Sequence, residues 1–171
     1  MSQLTTRRAF LSARILREDT HVVRPPGAVE SGFHDLCTAC GDCVSACPEG
    51  ILAIDNDGIP IARLDAGACT FCGDCARSCE ADALDIERLP DWPWRAMIEG
   101  ASCLSMTGVS CRLCQDTCDQ GAIRFKLQLG GRAKPELDID SCTGCGACAS
   151  ACPVGAVSFE RPFNPQPEVI Q

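Results

Sequence analysis

Apolar and polar residues alternate along six short stretches of this chain. "ILAID" (51–55), "IPIARLD" (59–65) and "ALDIE" (83–87) lie in its first half, and "AIRFKLQL" (122–129), "PELDID" (135–140) and "AVSFE" (156–160) in its second. A period of two over four to eight residues predicts half-buried strands. "NDG" at 56–58 and "GG" at 130–131 separate neighbouring stretches and predict hairpin turns. No apolar run approaches the length of about 18 residues that a membrane span needs.

These strands cannot hold a fold by burial alone. The chain has 171 residues, 5% aromatics and no Tyr, and two units of about 60–80 residues are each marginal without another source of stability. That source is 16 cysteines, above the roughly 8–10% that marks a cysteine-built scaffold.

The cysteines form four quartets, at 37, 40, 43, 47; at 69, 72, 75, 79; at 103, 111, 114, 118; and at 142, 145, 148, 152, with none left over. "CTACGDCVSAC", "CTFCGDCARSC" and "CTGCGACASAC" share one spacing, while "CLSMTGVSCRLCQDTC" keeps its last three intervals and displaces Cys103 by an insertion. A [4Fe–4S] cube takes four thiolates, one per iron, and in the bacterial two-cluster run the fourth cysteine ligates the other cluster. The spacing therefore pairs Cys37, Cys40 and Cys43 with Cys79, and Cys69, Cys72 and Cys75 with Cys47. In the second half it pairs Cys103, Cys111 and Cys114 with Cys152, and Cys142, Cys145 and Cys148 with Cys118. All sixteen thus serve as cofactor ligands through iron, for four [4Fe–4S] clusters. Cys47 to Cys69 and Cys118 to Cys142 span 22 and 24 positions, so the halves repeat each other.

Two other uses of the thiols fit less well. Zinc favours separated C-x2-C knuckles, usually with histidine, and there are only two His. A disulfide framework suits the even count, but successive C-x2-C steps give poor bridging geometry. Within the loops, Gly41, Gly73, Gly144 and Gly146 allow backbone to approach the inorganic sulfurs. Asp42 and Asp74 read as solvated charges, and His34 as a lone surface histidine. The fourth cysteine of each quartet is expected in or at the start of a short helix. Displaced Cys103 suggests a slack corner and a labile cluster. Trp92 and Trp94, in the stretch joining the halves, are expected to pack between them. No nucleotide loop, metalloprotease motif or nucleophile–base pair accompanies the cysteines, and every cube has its four corners filled. Electron transfer, or service to another protein, is what remains; the chain is not read as an enzyme.

Charge divides the chain. Residues 1–24 carry five Arg against Glu18 and Asp19, a net of +3, and the remainder carries −11 of the total −8. The net charge of −8 argues against nucleic acid as a partner. "TTRRAFLSARI" (5–15) opens like a twin-arginine export signal, yet its longest uncharged run, Ala9–Ala13, is shorter than the apolar core such signals use, and no A-x-A site follows. The expectation is a cytoplasmic protein. Leu4, Leu11 and Ile15 share one helical face between Arg7 and Arg14, which allows either a weak docking helix or a solvated, frayed tail.

The N-terminal "TRRAFL", the "RPPG" before the first quartet, the third quartet with displaced Cys103 and the closing "CTGCGACASACPVGA" resemble the NapF family, the ferredoxin-type accessory proteins of periplasmic nitrate reductase systems. The resemblance covers most of the chain. It implies a soluble cytoplasmic protein with four [4Fe–4S] clusters that acts on the precursor of the catalytic molybdenum subunit before export, in cluster assembly or electron supply. The alternative is an electron-transfer ferredoxin or a relay subunit feeding a respiratory oxidoreductase. The fold class expected is α+β, two tandem bacterial-type two-cluster ferredoxin modules with short hairpins and short helices wrapped around clusters. The expected divisions are a basic tail (1–30), a first module (31–88), a linker (89–102), a second module (103–162) and a C-terminal tail (163–171).

Overall fold

In a computed structural model, residues 22–29 and 32–161 are described. The twin-arginine stretch, the helical face of Leu4, Leu11 and Ile15, and the C-terminal tail lie outside the described residues.

Each half is built on the same plan, an inner hairpin flanked by two cysteine-bearing turns and closed by a ribbon of its first and last segments. In the first half the hairpin is β1 (Leu52–Ile54) with β2 (Pro60–Ala62), paired antiparallel with Ala53 opposite Ile61. Asp55 makes its turn. The carboxylate accepts from the N–H groups of Asp57 and Ile59, both at 2.9 Å, which stands in for backbone bonding in an Asx turn. In the second half β4 (Ile123–Leu127) pairs with β5 (Ala133–Leu137) across the Gly130–Gly131 turn.

Of the closing ribbons, the alternation discloses only "AVSFE", which is β6, and neither its partner nor the first-half ribbon's opening segment. β3 (Arg95–Ile98), within the expected linker, pairs antiparallel with β6 (Val157–Glu160), beyond the fourth quartet. Its counterpart in the first half is the "RPPG" segment. Val29 N–H donates to Ala83 O at 3.1 Å and Asp85 N–H to Gly27 O at 2.9 Å, around an Ala28–Leu84 bridge. "ALDIE" is accordingly a bridge followed by a 3₁₀ turn (Ile86–Asp91), because Pro90 and the Asp85 cap on Glu87 N–H favour the turn over a strand. Residues 22–29 are thus the first strand-like segment of the first half, not a free tail, and residues 95–98 play the same part in the second.

Arg24 secures that segment. It is 4% exposed, and its guanidinium donates to Asp55 Oδ2 at 3.1 Å and to Pro60 O at 3.0 Å. It also lies 3.1 Å from His34 Nε2 and 5.5 Å from the Phe33 ring centre. His34 is therefore a partnered, half-buried group rather than a lone surface histidine. Gly27 has φ +87, and a Cβ there would fall 2.4 Å from Asp85 O, so only glycine admits this approach.

The core is small and split. One cluster of side chains gathers Phe33, Ile51, Leu52, Ile59, Leu64, Leu84, Trp92 and Trp94; the other has Ala96, Ala122 and Ile123 beside Cys142 and Cys148. Cysteine side chains make up part of each, as a metal-organised fold requires.

Candidate iron–sulfur sites

Short helical turns place the thiols. α1 (Phe33–Leu36) leads into the first quartet, and α2 (Asp42–Ser45) and α3 (Asp74–Arg77) carry Cys43 and Cys75. In the second half α5 (Leu113–Asp116) and α6 (Ala147–Ser150) carry Cys114 and Cys148. The helix thus holds the third cysteine of each run, and the fourth follows just beyond it, which corrects the expectation from spacing. In three of the runs a glycine precedes the turn, whereas Arg112 at φ −140 precedes it in the Cys103 run. Gly41, Gly73 and Gly146 are left-handed and start the helix immediately, one position ahead of the third cysteine's own neighbour. Asp42 is exposed as expected, whereas Asp74 is tied to Arg77 in an i,i+3 ion pair.

All sixteen cysteines are free thiols, and thirteen of them line three cavities. Cys37, Cys40, Cys43 and Cys79 line one, with Phe33, Pro60 and Leu84. Cys103, Cys111, Cys114 and Cys152 line another, with Phe125, Ile98 and Val157. The two hold nearly equal atom-free space, ≈ 340 and ≈ 350 Å³ including the open edge. Cys118, Cys142, Cys145 and Cys148 line a larger one, whose wall continues to Cys69 and Phe71 of the other half. Cys47, Cys72 and, from the other half, Cys145 lie near Cys69, and Cys69, Cys47 and Cys43 lie near Cys75. Among the described residues no three His, Cys, Asp or Glu converge closely enough for a single metal ion.

Without iron these thiols are costly to ionise. Burial, then the neighbouring Cys37, pushes Cys43 up to about 11. Burial, then the other thiols around it, pushes Cys75 and Cys148 to about 12 and Cys114 to about 11. Cys69 reaches about 11, raised by burial and partly offset by the Phe71 N–H that its sulfur accepts at 3.4 Å. A group bearing positive iron at each corner reverses this cost, since thiolates are its ligands. Main-chain donors already aim at sulfur, as Ala156 N–H does at Cys152 Sγ, 3.3 Å away. The donor chemistry, and three cavities each lined by at least four thiols, fit iron–sulfur clusters.

Displaced Cys103 is not on a slack corner. Its insertion folds into α4 (Leu104–Thr107), Cys103 is 9% exposed, and the Ser105 hydroxyl donates to Ala133 O of β5 at 2.7 Å in a buried bond. Spacing alone counts the inserted residues and cannot show that they form a turn of helix.

Trp92 and Trp94 are 5% and 1% exposed and join the halves as expected. Trp92 stacks edge-on to Phe71, 6.0 Å between centres, and donates its indole N–H to Gly144 O at 3.3 Å. Arg161 lies over Trp94 at 4.9 Å. Gly144 and Gly146 serve this junction. A Cβ at 144 would meet Trp94 O at 2.0 Å, and one at 146 would meet Leu64 Cβ at 2.9 Å. The acidity is also local. Residues 31–102 hold thirteen carboxylates against four arginines, and residues 103–161 hold six of each sign.

Two hairpin-and-ribbon units with eight cysteines each define a tandem two-cluster iron–sulfur protein of the ferredoxin class. A family described as the 4Fe-4S dicluster domain matches residues 36–83 and 109–156, so the chain carries four [4Fe–4S] clusters. The chain is 48% identical over 139 residues to the ferredoxin-type protein NapF of Haemophilus influenzae, covering 80% of this chain and 78% of that one. It is 37% identical over 156 residues to NapF of Escherichia coli K12, covering 91% and 94%. The ferredoxin-type protein NapG of Escherichia coli K12 is 32% identical over 151 residues, covering 76% of this chain and 65% of that one. The chain belongs to the ferredoxin-type NapF family. The described residues contain no helix long and apolar enough to cross a membrane.

Proposed function

We propose that this protein is a cytoplasmic accessory factor for the catalytic molybdenum subunit of a periplasmic nitrate reductase, acting on its precursor before export. The clusters supply single electrons when bound, and the chain's own residues ligate, bury and space them. The ligand sets are the crossed ones: Cys37, Cys40, Cys43, Cys79; Cys69, Cys72, Cys75, Cys47; Cys103, Cys111, Cys114, Cys152; and Cys142, Cys145, Cys148, Cys118. The observation that carries this ligand reading is that each of three cavities is lined by one complete crossed set. The modules run from residue 22 to about 88 and from about 93 to 161, each including its first ribbon segment.

Membership of the NapF family supports the accessory role, and the absence of a spare thiol or an open corner favours electron supply over handing on one of its own cubes. The acidic first half, with Asp42 exposed beside its first site, offers a docking charge for a basic partner surface. The test is an anaerobic pull-down of the precursor subunit with the full chain and with a chain lacking residues 1–21. Failure of both to retain the precursor overturns the accessory role. A general electron carrier is the second reading, favoured by the four complete ligand sets. It predicts slower nitrate reduction by an already matured reductase in cells without this protein, and an unchanged rate excludes it.

A further inference from the structure

The two halves meet ligand loop to ligand loop. Cys69 N–H donates to Cys145 O at 2.7 Å, a main-chain bond between one cysteine of the second quartet and one of the fourth. Of the three cysteine-lined cavities described, that ringed by Cys118, Cys142, Cys145 and Cys148 has residues of both halves in its wall, Cys69 and Phe71 among them. The cavities of the Cys37 and Cys103 sets are lined from a single half each, by residues 33–84 and 98–157. The junction tolerates no side chain at Gly144 or Gly146 and is clamped by Trp92.

We propose that this contact is the electron handover between the modules. The four sites then form one line, with the Cys69 and Cys142 sets in the middle and the Cys37 and Cys103 sets at the ends. Spatial order thus differs from sequence order, in which the Cys103 run comes third. Electron tunnelling weakens exponentially with the gap crossed, and the Cys69–Cys145 hydrogen bond links ligand residues of the two sites directly. The step moves one electron from a reduced site to an oxidised neighbour, with no bond made or broken and no proton moved. A low-potential one-electron reductant loads the line. Gly144, Gly146 and Trp92 are positioning residues for the handover. The inference rests on the crossed ligand sets.

The full chain, prepared anaerobically, tests it in two forms. One carries Cys37→Ala, Cys79→Ala, Cys103→Ala and Cys152→Ala, which delete the proposed ends. The other carries Cys47→Ala, Cys69→Ala, Cys118→Ala and Cys142→Ala, which delete the middle. With crossed ligation each form keeps about half of its iron, because each pair of changes removes one cube. After dithionite reduction, the end-deleted form should give an EPR spectrum broadened by spin–spin interaction, and the middle-deleted form two independent spectra. Two independent spectra from the end-deleted form overturn the handover. Loss of well over half the iron from the end-deleted form would indict the crossed sets instead. Cys40→Ala with Cys111→Ala then deletes the same end sites under either ligation scheme, and the EPR comparison on that chain decides the handover.

Discussion

Trp92 donates its indole N–H to the main-chain oxygen of Gly144, 3.3 Å away and 52 residues further along the chain. This one bond ties the segment between the halves to a ligand loop of the fourth quartet. Trp92→Phe should cost about 1 kcal/mol, the net worth of a hydrogen bond, whereas Trp92→Ala should cost about 3–5 kcal/mol by emptying a buried site. Anaerobic thermal denaturation, followed at the clusters' visible absorption, measures both. A Trp92→Ala protein melting with the native one would show that the junction contributes no stability.

Gly27 and Gly131 separate two effects of adding a methyl group. Both have positive φ, but a Cβ at 27 strikes Asp85 O and one at 131 meets nothing within 4 Å. Gly131→Ala should cost about 1–2 kcal/mol, the left-handed penalty alone. Gly27→Ala should cost more, because the ribbon Gly27–Asp85 must open. Pro26 O lies 4.0 Å from Cys75 Sγ, so the opened ribbon should also quicken oxygen-driven bleaching of that site. Equal melting shifts for the two variants would exclude a special role for the "RPPG" segment.

Asp55 gives a pH signature. Burial works to raise its pKa, but the N–H groups of Ile59 and Asp57 and the Arg24 guanidinium outweigh it and hold the carboxyl below the usual carboxylate range. A lowered folded-state pKa contributes stability above the unfolded value, near 4, and loses it only as pH falls through the folded value. The destabilisation by Asp55→Asn, about 1.5–3 kcal/mol for a charge-assisted bond, should therefore stay constant from pH 7 down to pH 5. A gap between variant and native melting temperatures that closes by pH 5 would contradict this assignment.

Ser105→Ala removes the brace of the insertion and leaves Ala133 O buried without that donor. The loss is about 1–3 kcal/mol, concentrated at one corner of one site. Anaerobic chelation with a ferrous-iron chelator should release about a quarter of the iron in a faster phase than the native protein shows. Iron release indistinguishable from native would mean that the insertion does not steady the Cys103 corner.

Removing all iron should unfold the chain. Of the largest side chains fully buried among the described residues, Trp94 is the one aromatic, beside Ile51, Ile123, Pro25 and Pro26, a thin apolar core for two modules. Near-ultraviolet circular dichroism of the two tryptophans should collapse on chelation and return on reconstitution. Native-like tryptophan signals in iron-free protein would place the stability elsewhere.

The cysteine intervals and the two hairpins were legible because both are local. Ile51–Asp55 and Ile59–Asp65 alternate in place, and an Asp–Gly turn needs no distant partner. The opening segments of the ribbons were not legible, since Arg95–Ile98 and the segment ending at Val29 pair with residues 54 or more positions away, and nothing in their own composition names those partners. Gly144 and Gly146 sit where loop glycines approach sulfur, so only their contacts with Trp94 and Leu64 disclose the junction.

By itself the sequence determined the chemistry: sixteen thiols at intervals set by the width of a cube, hence four clusters and an electron-carrying class. Ligand spacing within a short loop is a property of the chain's reach, which folding does not alter. The tertiary structure alone decided which sites adjoin, that Cys69 touches Cys145, and that the insertion after Cys103 is a folded brace. Those relations depend on the docking of separate elements, and docking follows from the summed shape and burial of residues far apart in the chain.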